Sequence, residues 1–406
     1  MSKENKLVPK LRFTEFENGD SWEVKQVNYY FNVGSSKRVL QDDWTNFGVP
    51  FYRTRELVSL SKNEPFRSEI FISQELFDEI ANKYGLPNEG DFLVSGVGTL
   101  GIYYQVQKND RFYFKDGNVI WFKKKKVINS DFFRYCFQSD FIQTQIAAQS
   151  SASTVGTFTI QNASVTKFYI PKSTIEQQKI ADCLSSLDDL ITAENEKLDA
   201  LKNHKKGLMQ QLFPAEGEKV PKLRFPEFEN DGDWEEKRLG EICKLQAGKF
   251  ISASNISEFD NSVSFPVYGG NGLRGYTTTY NKEGTYSLIG RQGALCGNVT
   301  LVHEKFYATE HAIVVSPNQN VNSICLFYLL VLLNLNKYAT GQAQPGLSVD
   351  NLEKLMFSFP ANSSEQQKIA DCLSSLDERI VVQIQKIGDL KLHKKGLMQQ
   401  LFPTIN

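Results

Sequence analysis

Glu176 to Asp188 reads EQQKIADCLSSLD, and Glu365 to Asp377 reads the same thirteen residues. Further on, His204 to Pro214 reads HKKGLMQQLFP and His393 to Pro403 repeats it, at a constant offset of 189 residues. Both segments carry an apolar seven-residue repeat. The first runs Ile180, Leu184, Leu187, Ile191, Glu194, Leu198, Leu201, Lys205, Leu208, Leu212; the second runs Ile369, Leu373, Leu376, Ile380, Gln383, Ile387, Leu390, Lys394, Leu397, Leu401. Spacings that alternate four and three mark a coiled-coil seam. Ser173 with Glu176, and Asn362 with Glu365, stand at capping-box spacing and open the helices. Pro214 and Pro403 end them.

A strict 3.5-residue period over some thirty residues exceeds what two unrelated amphipathic helices need, so the helices are expected to pack on each other. Orientation must come from the polar seam positions. A parallel pair sets Lys205 against Lys394, two like charges. An antiparallel pair sets Leu198 against Leu390, Leu201 against Ile387, Glu194 against Lys394 and Lys205 against Gln383. The antiparallel arrangement is therefore predicted, with Glu194 nearer to Lys394 than to Gln383 as its diagnostic contact. At 1.5 Å per residue the seam makes a rod on the order of 50 Å.

The rest of the chain is duplicated too. Val8 to Arg12 and Val220 to Arg224 both read VPKLR and lead to Trp22 and Trp234, now at an offset of 212. The expected divisions are an extended segment 1–22, a globular region 23–172, a long helix 173–213, a second extended segment 214–234, a second globular region 235–361 and a second long helix 362–402. Glu89-Gly90-Asp91-Phe92 parallels Glu283-Gly284-Thr285-Tyr286, and each leads through a strand to a glycine-punctuated turn. A helix opened by Ser130 or Ser323 follows, with Phe133, Phe137 and Phe141 on its buried face in the first copy. Each region is predicted to be a mixed α/β unit.

Size and composition narrow the function. The 406 residues carry 46 basic and 47 acidic side chains, a net charge of −1, against the usual basicity of a stand-alone nucleic-acid binder. Six cysteines show no CxxC and four histidines no HxxxH, so no metal site is written here. Cys183 and Cys372 are repeat-related, but the antiparallel pairing keeps them beyond disulfide reach. The apolar run Ile324 to Leu333 is half a membrane span, and nothing reads as a signal peptide, so a cytoplasmic location is expected.

Catalytic signatures are missing. The sequence has no NPPY- or DPPY-type tetrapeptide, no FxGxG and no GxxxxGK[ST]. Glu23-Val24-Lys25 and Glu235-Glu236-Lys237 mimic a nuclease E-x-K, but they read more simply as first strands. Binding residues are better represented. Lys37, Arg38, Arg53 and Arg55 cluster in sequence in the first region. In the second, Pro266-Val267-Tyr268-Gly269-Gly270-Asn271-Gly272-Leu273-Arg274-Gly275-Tyr276 reads as a glycine-rich loop carrying amide, guanidinium and phenol groups, and Lys249, Arg291, Gln292, Gln342 and Gln344 are expected to share its surface. Arginine holds guanine through O6 and N7, and asparagine holds adenine through N6 and N7. Lys123 and Lys124 open a run of four lysines suited to phosphates or to a plain strand end.

Taken together, the duplicated PKLRF-type entries, IPKSTIEQQKIADCLSSLD and HKKGLMQQLFP resemble the specificity subunits of type I restriction–modification systems over nearly the full length. The resemblance implies two target recognition domains, each reading half of a bipartite, asymmetric site in double-stranded DNA. It implies helices that set the spacer and dock two methyltransferase subunits, joined in the full complex by restriction subunits. S-adenosylmethionine, ATP and Mg²⁺ would sit on those partners, leaving this chain without cofactor or catalysis. The competing reading is a coiled-coil scaffold that never touches DNA.

Overall fold

The computed structural model describes residues 7–404 apart from 63, 65, 67, 151–155, 262, 294 and 342–344. The chain divides into two compact units, 1–193 with 387–406, and 194–386. The long helices Thr174–Leu212 and Ser363–Leu401 each contribute one half to either unit.

In the first unit, a four-stranded antiparallel sheet runs in the order Phe31–Gly34, Val119–Lys124, Phe92–Ser95, Tyr103–Gln105. A second, smaller sheet orders Trp44–Thr45, Phe71–Ile72, Val49–Tyr52 and Tyr113–Phe114, with the last pair parallel. Glu23–Gln26 pairs with Lys167–Ile170.

The second unit is built the same way. Its larger sheet runs Cys243–Ala247, Ala312–Pro317, Tyr286–Gly290, Val299–Val302. Its smaller sheet runs Gly272–Thr277, Phe265–Gly269, Lys305–Ala308, Lys282–Glu283, and Phe265–Gly269 again pairs parallel with its neighbour. Glu235–Arg238 pairs with Met356–Phe359. Both E-x-K triplets thus begin first strands, with Lys25 salt-bridged to Glu23 and Lys237 to Glu235.

Burial explains where the helices go. Ile180, Ala181 and Leu184 at the start of the first long helix pack with Leu401 and Phe402 at the end of the second, in a core with Trp22, Phe31, Phe122 and Phe133. In the other unit, Ile369, Ala370 and Leu373 pack with Met209, Leu212 and Phe213 beside Trp234 and Leu326. The start of one helix meets the end of the other in each core, so the pairing is antiparallel. Leu184 and Leu373 are fully buried, and burying such a side chain contributes roughly 1.5–3 kcal/mol. Every seam residue predicted above is buried or half-buried, including Leu187, Ile191, Leu198, Leu201, Leu376, Ile380, Ile387 and Leu390.

The register differs from expectation. Lys205 Nζ bonds Asp377 at 2.5 Å and Lys394 Nζ bonds Asp188 at 2.6 Å. Lys205 was expected at Gln383, six residues beyond Asp377; Lys394 was expected at Glu194, six beyond Asp188. Glu194 instead accepts from Gln383 at 2.6 Å and from Lys386 at 2.5 Å. The diagnostic contact Glu194–Lys394 therefore fails while the orientation holds. A residue lying near a pseudo-twofold meets its own repeat equivalent in either orientation, so the contact chosen was a poor discriminator.

The identical sequences now have a physical explanation. Glu176 accepts from Arg12 Nε at 2.7 Å, Arg12 Nη2 at 2.8 Å and Trp22 Nε1 at 3.1 Å. Glu365 does the same with Arg224 at 2.7 and 2.9 Å and Trp234 at 3.1 Å. Gln177 and Gln366 donate to the carbonyls of Pro171 and Pro360. Asp188 accepts from Tyr135 as well as Lys394, and Asp377 from Tyr328 as well as Lys205. The capping boxes are thereby only half realised: Ser173 Oγ accepts from Glu176 N at 3.3 Å, but the glutamate carboxylates go to arginine and tryptophan.

Two further expectations are corrected. The short helices Ser130–Gln138 and Ser323–Leu332 are capped one residue earlier, by Asn129 and Asn322. Phe141 is not on the first of them; the chain breaks at Ser139, and Phe141 lies in Asp140–Ser150, stacked on Tyr169 at 4.2 Å. Cys183 and Cys372 are free.

Candidate nucleic-acid interface

The two units share most of their strands but differ in their connections: among the described residues Lys282–Glu283 belongs only to the second and the helix Gln74–Tyr84 only to the first. In the second unit, Phe265–Gly269 turns back through a glycine-rich tip into Gly272–Thr277. In the first, the equivalent strand Val49–Tyr52 runs into the helix Thr54–Ser61 before the chain returns as Phe71–Ile72. The candidate residues Asn271 and Arg274 lie on the tip; Arg53 and Arg55 lie at the start of the helix.

At the second unit's tip, Asn271, Arg274, Gln292 and His311 line one concavity of about 380 Å³ with the glycines Gly269, Gly270, Gly272 and Gly293. Gln292 Oε1 is 3.1 Å from His311 Nδ1, and His311 Nε2 is 3.3 Å from Glu310. The glycines let three loops close in: a Cβ on Gly290 would lie 2.3 Å from the Gly270 carbonyl, a clash no side chain tolerates. Leu273 and Arg274 are exposed on the outgoing strand. The arrangement offers amide, imidazole and guanidinium groups on a rigid backbone, which is the donor and acceptor set that reads base edges.

Asn271, Arg274 and Gln292 are thus brought together as expected. His311 was missed; its only sequence signal was its place just before the strand Ala312–Pro317. Arg291 sits beside Gln292, with its backbone fixed to His311 O, Leu347 N and Cys296 Sγ, but it does not line the concavity. Lys249 is at the same end of the sheet, its amide bonded to Ala308 O at 2.9 Å. Gln342 and Gln344 lie outside the described residues.

The first unit is wired differently. Arg53 bonds Glu56 at 2.7 Å, and Arg55 bonds Glu56 at 3.0 Å and Glu69 at 2.6 Å. Burial works against the ionised Glu56, but these hydrogen bonds outweigh it and hold its pKa below the ordinary carboxylate value. The two arginines are therefore partners of carboxylates before any ligand arrives. Lys37 is held through its amide by Tyr113 Oη at 2.7 Å, and Arg38 is 75% exposed with Asp116 3.8 Å away. Both follow Phe31–Gly34, whose end pairs with Trp121 near the beginning of Val119–Lys124.

Lys123 and Lys124 lie at the opposite end of that strand, against Phe31 and Asn32. Lys123 Nζ is 5.1 Å from the Trp121 ring, and Lys124 bonds Ser130 Oγ at 3.0 Å and, through its amide, Asp91 at 2.8 Å. The structure separates them from Lys37 and Arg38, which follow the other end of the paired strand. Among the described residues there is no group of three or more His, Cys, Asp or Glu placed to hold a metal, and no helix is long and apolar enough to cross a membrane.

The described residues thus form two mixed α/β units that repeat one scaffold and differ in their loops. The profile of the type I restriction modification DNA specificity domain matches residues 19–203 and 231–390, and the chain belongs to that family. It is 47% identical over 156 residues to the type I restriction enzyme EcoprrI specificity subunit of Escherichia coli, a match spanning 38% of each chain. It is 25% identical over 419 residues to the MjaVIII specificity subunit of Methanocaldococcus jannaschii, spanning 94% of this chain and 92% of that one. Among solved structures, the S subunit of the type I restriction–modification system from M. genitalium superposes with a TM-score of 0.62 at 16% identity, over 98% of this chain and all of the other.

Proposed function

We propose that this chain is the sequence-reading, non-catalytic component of a type I restriction–modification complex, and that each unit reads one half of a bipartite, asymmetric DNA site. The observation that carries the reading is the divergent connection that follows Val49–Tyr52 in one unit and Phe265–Gly269 in the other. Two copies of one scaffold present an amide- and arginine-bearing hairpin tip in one case and a carboxylate-tethered arginine helix in the other, so they select different bases.

The paired helices set the separation of the half-sites and dock two methyltransferase subunits; restriction subunits join the same assembly. S-adenosylmethionine, ATP and Mg²⁺ belong to those partners. Mapping methylated adenines in a host that expresses the chain with its methyltransferase tests this. The expected result is one bipartite motif with unlike halves. Transplanting residues 265–277 from a relative with a different specificity should change one half and leave the other intact. If the purified assembly shows no salt-dependent, sequence-selective DNA binding, the scaffold reading takes its place.

The spacer function has its own test. Inserting seven residues at equivalent points of both helices adds about 10 Å, roughly three base pairs at 3.4 Å each. The mapped spacer should lengthen by about that amount with both half-sites retained. Altered half-sites with an unchanged spacer would count against the helices as a ruler.

A further inference from the structure

Two phenylalanines stand out of the fold at matched places. Phe47 is 81% exposed and Phe259 is 78% exposed, more than any other aromatic among the described residues. Their separation is 212 residues, the offset of the VPKLR segments. Equivalent elements before them keep that offset: Phe31–Gly34 with Cys243–Ala247, and the short 3₁₀ turns Gln41–Asp43 with Ala253–Asn255. Their neighbours do not repeat, for the local sequences are Thr45-Asn46-Phe47-Gly48 and Ser257-Glu258-Phe259-Asp260. Only the hydroxyl residue and the phenylalanine are shared in kind.

The hydroxyl fixes the turn. Thr45 Oγ1 donates to Phe47 O at 2.7 Å, and Ser257 Oγ donates to Phe259 O at 3.1 Å. Each hydroxyl residue is itself anchored to a strand, Thr45 opposite Phe71 and Ser257 opposite Tyr276. Gly48 then holds φ at +126°, where an added Cβ would meet Ile72 O at 2.3 Å. A single exposed phenylalanine needs no explanation. Two of them, pinned by the same bond in units whose surfaces otherwise differ, do.

We propose that Phe47 and Phe259 are matched DNA wedges, each entering a base step beside the half-site its own unit reads. This rests on the DNA-reading function proposed above. Tyr276, opposite Ser257, is four residues along the strand from Gly272 at the hairpin tip. That is about 13 Å at 3.3 Å per residue, and the bridge is antiparallel, so the chain leaves Ser257 in the direction of the tip. Bases reached by the tip therefore leave neighbouring base steps within the phenylalanine's reach, and apolar side chains part such steps. Lys37 and Lys249 share the 212-residue offset and lie in the same connections, which supplies a cation for the flanking phosphates.

The test uses the chain assembled with its methyltransferase subunits and a duplex carrying the mapped site, with 2-aminopurine placed singly at steps in and beside each half-site. The wild-type assembly should show one step of raised fluorescence per half-site. Phe47→Ser should abolish one signal, Phe259→Ser the other, and each should weaken binding about five- to twentyfold. Phe47→Leu and Phe259→Leu, still apolar wedges, should keep most of both. Melting temperatures and methyltransferase assembly should not change. Wild-type binding with no unstacked step, or serine variants that keep their signals, overturns the wedge while leaving DNA reading intact. Serine variants that instead lose the methyltransferase subunits would assign these residues to protein docking. An assembly that binds no DNA at all removes the function on which the wedge rests.

Discussion

Glu194 and Gln383 occupy the same position in the two long helices, and they are bonded to each other: Gln383 Nε2 donates to Glu194 Oε2 at 2.6 Å and to Glu194 O at 2.9 Å. A repeat that meets itself has placed unlike residues at the meeting point. With glutamate on both sides, two carboxylates would face each other in a seam position.

Gln383→Glu tests that asymmetry. The bond from Gln383, and then that from Lys386, holds the Glu194 pKa below its ordinary value. A depressed carboxylate stabilises the fold above its unfolded pKa and loses that stabilisation as pH falls through the folded value. The variant reverses the sign, since a second carboxylate raises both folded pKa values. Its melting temperature should fall below wild type at pH 7, and the gap should narrow as pH falls toward 4. Equal melting curves at both pH values would show that the layer contributes nothing to pairing.

Arg12 and Arg224 are the partners on which the buried glutamates depend. The side chains of Arg12 and Glu176 are 6% and 2% exposed; those of Arg224 and Glu365 are 8% and 2% exposed. Removing one partner of such a pair strands the other, at a cost of about 3–5 kcal/mol. Arg12→Ala and Arg224→Ala should each cost that much in urea unfolding, and Arg12→Met with Glu176→Leu should cost clearly less. A single replacement that costs under about 1 kcal/mol, the usual range for an exposed pair, would show that the glutamate is reached by water.

Much of this was legible in sequence because it was written twice. The antiparallel helices, their ends at Leu212 and Leu401 before the prolines, and the tandem mixed units follow from repeated motifs and period. The register was not legible. A heptad looks the same after a slip of seven, and the period carries no signal of the bonds that Tyr135 and Tyr328, from the globular parts of the chain, make to Asp188 and Asp377 beside the lysines. Site residues divide for a similar reason. Asn271, Arg274 and Gln292 converge because glycines bring their loops together, whereas nothing in FYRTREL says that Arg53 and Arg55 will be claimed by Glu56 and Glu69. Phe47 and Phe259 escaped notice because sequence alone does not show exposure.

Lys205 and Asp377 should be exchangeable. Lys205 Nζ lies 2.5 Å from the carboxylate and 4.9 Å from the Tyr328 ring, with the lysine side chain 18% exposed and the aspartate 40% exposed. Lys205→Asp alone sets two carboxylates together and should destabilise more than Lys205→Ala. Adding Asp377→Lys should recover a large part of the loss, with a coupling of roughly 1 kcal/mol for a half-exposed pair. The same cycle at Lys394 and Asp188 should give a similar value, since their contact is equivalent. Additive effects at both sites would mean that the register is set by apolar packing alone.

Arg274 and Lys123 should behave as opposites toward DNA. Arg274 lines the concavity at the hairpin tip, where a bidentate contact to one base is worth about 1–3 kcal/mol of discrimination. Arg274→Ala should therefore relax the mapped motif at one position of one half-site, and Asn271→Ala should relax a neighbouring position. Lys123→Ala and Lys124→Ala act at the far end of the strand, where their partners are Trp121, Asp91 and Ser130. They should leave every position of the motif as it was. Arg53→Ala should do two things at once: it removes a guanidinium from the first unit's divergent loop and strips Glu56 of its shortest hydrogen bond. Loss of thermal stability should accompany any change in specificity there, and rescue by Glu56→Gln in the Arg53→Ala background should restore stability but not the lost base preference. If Arg53→Ala with Glu56→Gln reads the wild-type half-site in full, the arginine is a structural partner of the glutamate and the bases are read elsewhere on that loop.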